Sequence, residues 1–242
     1  MAGQSTEKIY DPKFFAKITE VSAASAAVVV PLILKLFPET QSVADVGCGT
    51  GTWLRAFLDG GVPTVRGFDD GGMDLRQLLI PVSAFRRTDL AKPPADPSER
   101  FDLAISLEVA EHLPPESAEP FIDFLTRLSD RVVFSAATPM QGGRNHINER
   151  PASYWKGLFE ARGYDVFDPL RGRIWNDDRV AVYYRQNVLV AVKRGFAPDG
   201  LRPVRDGDLI DVVHPEAYVK ARRKLHERSS LWNYLRAHAR LR

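Results

Sequence analysis

The sequence predicts an α/β fold built on a seven-stranded, mainly parallel sheet with helices on both faces. Three observations carry this reading. Short β-like runs alternate with longer helical stretches; a glycine-rich turn follows the first run and opens a helix; and no segment repeats at a fixed period, as a solenoid or propeller would. The strands are predicted at residues 42–46, 64–68, 84–87, 101–106, 131–135, 164–167 and 187–192. Helices are predicted at 22–36, 52–59, 118–128 and 153–162, the last ending at Gly163, which suits a C-cap. Crossovers of this length join parallel neighbours, whereas hairpins need only a tight turn.

At about 150 residues per domain, the 242 residues predict one large unit with appendages: a helical segment at 1–40, a core at 41–195 and a basic extension at 196–242 that packs on the core or on a partner. With 44% hydrophobic and 26% charged residues, 17 Gly and 17 Pro, the chain is neither collagen-like nor wholly disordered. The single cysteine, Cys48, forms no internal disulfide, and residues 1–20 lack a basic segment followed by an apolar one, so a cytoplasmic protein is expected. The longest apolar stretch, 21–37, contains Pro31 and Lys35. It falls short of the roughly 20 residues of a bilayer span and reads as a buried helix, with no membrane partner.

The net charge of +2 conceals an asymmetry, because residues 214–242 hold eight Lys/Arg against two Asp/Glu. The remainder is therefore net acidic. No basic field covers the body of the chain as a nucleic-acid binder prefers, so a small-molecule substrate is expected and only the tail is suited to polyanions. Its histidines, His214, His226 and His238, read as solvated.

The most informative stretch runs Val43-Ala44-Asp45-Val46-Gly47-Cys48-Gly49-Thr50-Gly51-Thr52-Trp53. Glycines at 47, 49 and 51 remove alternate β-carbons from a sharp bend and let backbone approach a ligand closely. The next strand ends in Phe68-Asp69-Asp70, so Asp69 lies 20 residues beyond Gly49, the offset at which a carboxylate accepts hydrogen bonds from ribose hydroxyls. The spacing Gly-x-Gly-x-Gly is not that of a dinucleotide fingerprint. Asp45, just before the turn, suits a ligand with a positive end better than it suits a pyrophosphate.

In these residues the chain resembles the class I S-adenosylmethionine-dependent methyltransferases, whose first motif reads acidic-x-Gly-x-Gly-x-Gly; the likeness runs from about Ala44 to Val192. It implies a Rossmann-like core that binds S-adenosylmethionine. The turn from Asp45 to Gly51 would hold the methionine end, Asp69 the ribose, and Asp89 the adenine amino group. The cofactor-binding set so implied is Asp45, Gly47, Cys48, Gly49, Gly51, Asp69, Asp70, Asp89, Leu90 and Leu107. Asp70 stands where the family usually carries a bulky residue.

After the fourth predicted strand comes Leu107-Glu108-Val109-Ala110-Glu111-His112-Leu113. If a helical turn begins at Glu108, then Glu108, Glu111 and His112 share one face, and these oxygen and nitrogen donors could hold a divalent cation. His146, in the polar loop 138–151 after the next strand, would emerge on the same sheet edge as a fourth ligand. The block is similar to the metal-binding block of small-RNA 2′-O-methyltransferases and, in its first part, to ubiquinone-pathway O-methyltransferases. The resemblance implies Mg²⁺ or a similar ion on Glu108, Glu111, His112 and His146, with Glu108, His112 and His146 as catalytic residues. Without a metal, His146 is the expected general base. The alternative is a Glu-His pair that simply caps the next helix and lines the cofactor pocket.

Between the last two predicted strands, residues 168–186 read as a long connector rich in aromatic and amide side chains. Trp175 and Tyr184 could stack on a sugar or aryl ring while Asn187 and, from the earlier loop, Asn148 bond its hydroxyls; a hairpin packing its own aromatics is the alternative. The middle of the chain also resembles bacterial methyltransferase domains associated with sugar and polysaccharide genes. The expected function is O-methyl transfer to a small polyhydroxylated acceptor; the alternative is an RNA 2′-O-type methyltransferase that uses the basic tail.

Overall fold

The computed structural model describes residues 12–239, with side chains from Thr19 to Glu227. In chain order the elements are α1 (Pro12–Leu36), β1 (Ser42–Val46), α2 (Thr52–Asp59), β2 (Thr64–Asp69), β3 (Phe85–Arg87), β4 (Leu103–Leu107), α3 (Ala118–Leu128) and β5 (Arg131–Ser135). Then follow α4 (Ala152–Glu160), β6 (Tyr164–Phe167), α5 (Arg171–Ile174), α6 (Val182–Asn187), β7 (Leu189–Lys193) and α7 (Pro215–Ala239). The seven strands form one sheet in the order β3-β2-β1-β4-β5-β7-β6. β1 pairs in parallel with both β2 and β4, and β7 is antiparallel to its neighbours β5 and β6.

Alternate residues of the central strands face opposite layers, as the two-residue period of a strand requires. Val43, Leu103 and Ile105 join Ala26 and Ile33 of α1, Phe37 just after it, and Leu54 and Phe57 of α2. Ala44, Val46 and Ala104 join Phe121, Ile122, Leu125, Trp155 and Phe159 of α3 and α4. Each of the valine, leucine, isoleucine and phenylalanine side chains among these, fully buried, contributes about 1.5–3 kcal/mol.

Several boundaries differ from the sequence reading. The helix at the N-terminus runs 25 residues, straight through Pro31. Its stretch Thr19–Leu36 is long and apolar enough to cross a membrane by length and composition. Here it is a core helix, because Ala26, Val29, Val30 and Ile33, at helical spacing, are buried in the layer against the sheet. The expected connector 168–186 folds into α5 and most of α6, so Asn187 ends a helix and the last strand begins at Leu189. After β7 the chain runs back along the sheet edge, where the Val204 N–H donates to the Val166 carbonyl and Ile210 joins the second core.

With β1 central and flanked by β2 and β4, the order reverses at β1. The crevice outside the carboxyl ends of the strands at such a switch point is where open α/β sheets bind ligands. The turn after β1, the end of β2, the end of β4 and loop 138–151 all emerge there.

Candidate active site

The turn between β1 and α2 needs its glycines. Gly47, Gly49 and Gly51 have φ of 88°, 51° and 79°, a left-handed region that costs other residues about 1–2 kcal/mol each. At Gly47 space is also decisive, since a Cβ there would lie 2.3 Å from Val109 Cγ2. At Gly49 no atom lies within 4 Å of the Cβ position, so the bend opens there onto free space. Amides of Gly47 and Cys48 donate to the Phe68 carbonyl at 2.7 and 3.2 Å, tying the turn to the end of β2.

Two carboxylates face this turn. Asp69 Oδ2 accepts the Gly49 N–H at 2.9 Å. Burial, opposed in part by that bond and reinforced by Asp70, pushes the Asp69 pKa up to about 6. Asp45 is buried, its Oδ2 has no partner, and burial followed by the Asp69 charge pushes its pKa well up. A buried carboxylate with one unpartnered oxygen beside an open, glycine-lined bend fits a ligand that brings a cationic group.

The other cofactor residues expected from the sequence are more ordinary. Asp70 and Asp89 are exposed and each accepts an amide two residues on, Gly72 at 2.8 Å and Ala91 at 2.9 Å, as turn-forming Asx residues do. Leu90 and Leu107 are buried. Cys48 is buried too, and burial pushes its thiol pKa up, so it sits there as a neutral thiol; a Cβ on Gly67 would lie 2.6 Å from its sulfur.

At the end of β4 the structure departs from the helical turn read in the sequence. Glu108 has φ of 56°, left-handed for a non-glycine residue, and the helical turn covers only Ala110–His112. Glu108 is therefore carried away from the face of Glu111 and His112. Its carboxylate accepts Gln141 Nε2 at 2.8 Å and Asn187 Nδ2 at 3.0 Å, and its amide donates to Ser135 Oγ at 3.1 Å. Burial raises its pKa, while the bonds from Asn187, Gln141 and Ser135 lower it.

Glu111, His112 and His146 do come together, with one ligand atom from each within 4.8 Å of the others; Glu108 stands outside this group. Glu111 is fully buried, yet neither carboxylate oxygen has a hydrogen-bond partner, and His112 Nδ1 is likewise buried and unpartnered. Burial, then the Glu108 charge, pushes the Glu111 pKa up to about 9. Burial, then His146, lowers that of His112. The His112 and His146 rings meet edge to face at 4.8 Å. Loop 138–151 is fastened to this turn, since the Ile147 and Asn148 amides donate to the Glu111 carbonyl at 2.9 and 3.0 Å.

The expected acceptor residues are placed differently from one another. Tyr184 is buried, with its ring edge-on to Trp53 at 5.0 Å and its hydroxyl within 3.3 Å of Ser22 Oγ, so it packs inside the core. Trp175 packs on His214 at 4.5 Å. His214 is buried rather than solvated, with its amide donating to Gln186 Oε1 at 2.8 Å. Asn187 is committed to Glu108 and to Gln141 Oε1, the latter at 2.8 Å. Asn148 is buried, accepts from Arg150 Nε at 3.0 Å, and leaves Nδ2 without a partner. His226 is exposed, and the side chain of His238 lies outside the described residues. Gln141, Glu149 and Val109 border this region without having been singled out in the sequence.

A model of the family described as a methyltransferase domain matches residues 23–169. No curated protein matches the sequence. Among solved structures, the chain is similar to KedS8, a sugar N-methyltransferase from a Streptoalloteichus species, with TM-score 0.55, 16% identity, and coverage of 80% of this chain and 99% of that one. It is similar to Streptomyces venezuelae DesVI at TM-score 0.52 and 15% identity, covering 79% of this chain and 100% of that one. It is also similar to the magnesium protoporphyrin IX methyltransferase ChlM of Synechocystis with bound SAH, at TM-score 0.52 and 19% identity, covering 80% and 90%. At these identities the structural likenesses speak for the fold. The length of the domain match and the seven-stranded order around the glycine turn together assign the chain to the class I S-adenosylmethionine-dependent methyltransferases.

Proposed function

We propose that the chain transfers the methyl group of S-adenosylmethionine to a hydroxyl of a small, polyhydroxylated, carbohydrate-like acceptor, with a divalent cation held by Glu111, His112 and His146. The observation that carries the reading is Glu111: a fully buried carboxylate whose two oxygens lack partners and that lies beside two imidazoles. Left alone, such a group is costly. Three oxygen and nitrogen donors grouped in this way offer part of the coordination shell of a hard or borderline cation.

In this reading the unpartnered Asp45 carboxylate and the open bend at Gly49 receive the cationic methionine end, and Asp69 accepts the ribose hydroxyls. S-adenosylmethionine would supply a sulfonium methyl: the acceptor oxygen attacks the methyl carbon in line, the carbon–sulfur bond breaks and S-adenosylhomocysteine leaves with the bonding pair. Glu111, His112 and His146 would hold the cation, which would lower the pKa of an acceptor hydroxyl as such ions do for water. Glu108, held outside that group by Asn187 and Gln141, accepts the hydroxyl proton; burial raises its pKa above the usual carboxylate range, which makes it a better proton acceptor than an exposed carboxylate. The likeness to a sugar N-methyltransferase supports a sugar-type acceptor.

The test is a screen of cell metabolites for gain of a methyl mass that depends on S-adenosylmethionine. The account expects a hydroxylated product whose formation stops with EDTA and with His112→Ala. A product methylated on nitrogen, or activity that survives both treatments, contradicts the reading.

A further inference from the structure

We infer that Glu149 and Gly143 are positioning residues that fix the orientation and tautomer of His146, presenting its Nε2 as a bare acceptor nitrogen. The inference rests on the reading above, in which His146 serves the reaction.

Loop 138–151 is bent around one carboxylate. Glu149 Oε2 accepts the Met140 amide at 2.8 Å, and Oε1 accepts both the Gly142 amide at 2.7 Å and His146 Nδ1 at 2.8 Å. To bring these donors together, Met140, Gly142 and Asn145 adopt φ of 70°, 66° and 59°. Two amides would suffice to tie the loop. The third bond acts on the imidazole. A carboxylate at Oε1 accepts, so Nδ1 carries the proton and the neutral ring keeps its lone pair on Nε2. Carboxylates fix ligating histidines in this way, and losing one costs 10- to 100-fold in metal affinity or activity, on the order of 1.4–2.7 kcal/mol.

Gly143 lies over one face of the ring at Nε2 and leaves the in-plane lone pair clear. Its backbone lies outside the left-handed region, so conformation does not demand glycine there. Space does: a Cβ at 143 would lie 2.0 Å from His146 Nε2 and 2.4 Å from Cε1. With the His112 ring edge-on at 4.8 Å, the imidazole is bounded on three sides. His146 and Glu149 side chains are only 11% and 18% exposed, so water competes little for the bond between them.

The test uses the full chain labelled with ¹⁵N-histidine, with the His146 signals identified by their loss in His146→Gln. Long-range proton–nitrogen correlation at pH 8.5, where imidazoles are ordinarily neutral, should show His146 as the Nδ1–H tautomer in the unmodified protein. Glu149→Ala should convert it to the Nε2–H form favoured by a free side chain, and Gly143→Ala should shift its ring resonances with Glu149 intact. An Nε2–H tautomer in the unmodified protein, or an Nδ1–H tautomer that survives Glu149→Ala, overturns the inference. The first of these results needs only the His146→Gln protein used for assignment to fold. Manganese titration followed by the EPR signal of the free ion runs in parallel, with a loss of at least about tenfold in affinity expected for Glu149→Ala. If the tautomer behaves as expected while the unmodified protein binds no manganese, the positioning role stands and the cation in the proposed function falls.

Discussion

Replacing Gly47 by alanine tests whether the glycine turn and the Glu111 turn are one mechanical unit. Two costs add. A φ of 88° in a residue with a side chain costs about 1–2 kcal/mol. The new methyl would lie 2.3 and 2.8 Å from the two γ-carbons of Val109, an overpacking of about 1–3 kcal/mol. Gly47→Ala should therefore lose about 2–5 kcal/mol against a typical stability of about 5–15 kcal/mol. Val109→Ala removes both offending γ-carbons and leaves only Cβ, at 3.1 Å. In a double-mutant cycle read by urea unfolding, the pair should couple by about 1–3 kcal/mol, while the backbone share persists. A loss below about 0.5 kcal/mol for Gly47→Ala, or additive effects of the two changes, would refute the packing argument.

Other outcomes follow from the same geometry. Burial raises the Asp69 pKa to about 6, so the folded chain holds that proton more tightly than the unfolded chain, and its contribution to stability is lost as pH rises from about 4 through about 6. Asp69→Asn should therefore gain stability relative to the unmodified protein between pH 5 and pH 8 in urea melts; an unchanged difference counts against the shift. Manganese at 100 times its Kd should add about 2.7 kcal/mol to stability, and Glu111→Gln should abolish that gain in thermal melts. At Glu108, whose φ is 56°, glycine should be more stable than alanine by about 1 kcal/mol, the reverse of the usual order, and denaturant unfolding of the two variants reads the difference.

The parallel sheet and its glycine turn were legible because both are local in sequence. A β run, three alternate glycines and a helix fall within a dozen residues, and Asp69 follows at the offset that one crossover fixes. The Glu111, His112 and His146 group was partly legible, since Glu111 and His112 are adjacent and His146 follows the next strand. The helical turn read from Glu108 starts later because helical spacing assumes a right-handed backbone, and this residue turns left-handed where its carboxylate is met by Gln141 and Asn187. Tyr183-Tyr184 favours a strand by propensity, yet the pair lies on a short helix in which Tyr184 is buried against Trp53 and Ser22 of α1. His214 looked solvated in a basic tail, and only its contacts with Trp175 and Gln186 bury it. Val109, Gly143 and Glu149 matter through neighbours brought near by folding, which a linear pattern does not record.

The central claim is that Asp45, the glycine turn and Asp69 hold the sulfonium nucleoside. Isothermal calorimetry with S-adenosylhomocysteine tests it most directly. The account predicts one site per chain in the micromolar range, near −8 kcal/mol, and weakening of well over tenfold by Asp69→Ala. Absence of binding to the unmodified protein, or affinity unchanged by Asp69→Ala, would contradict it.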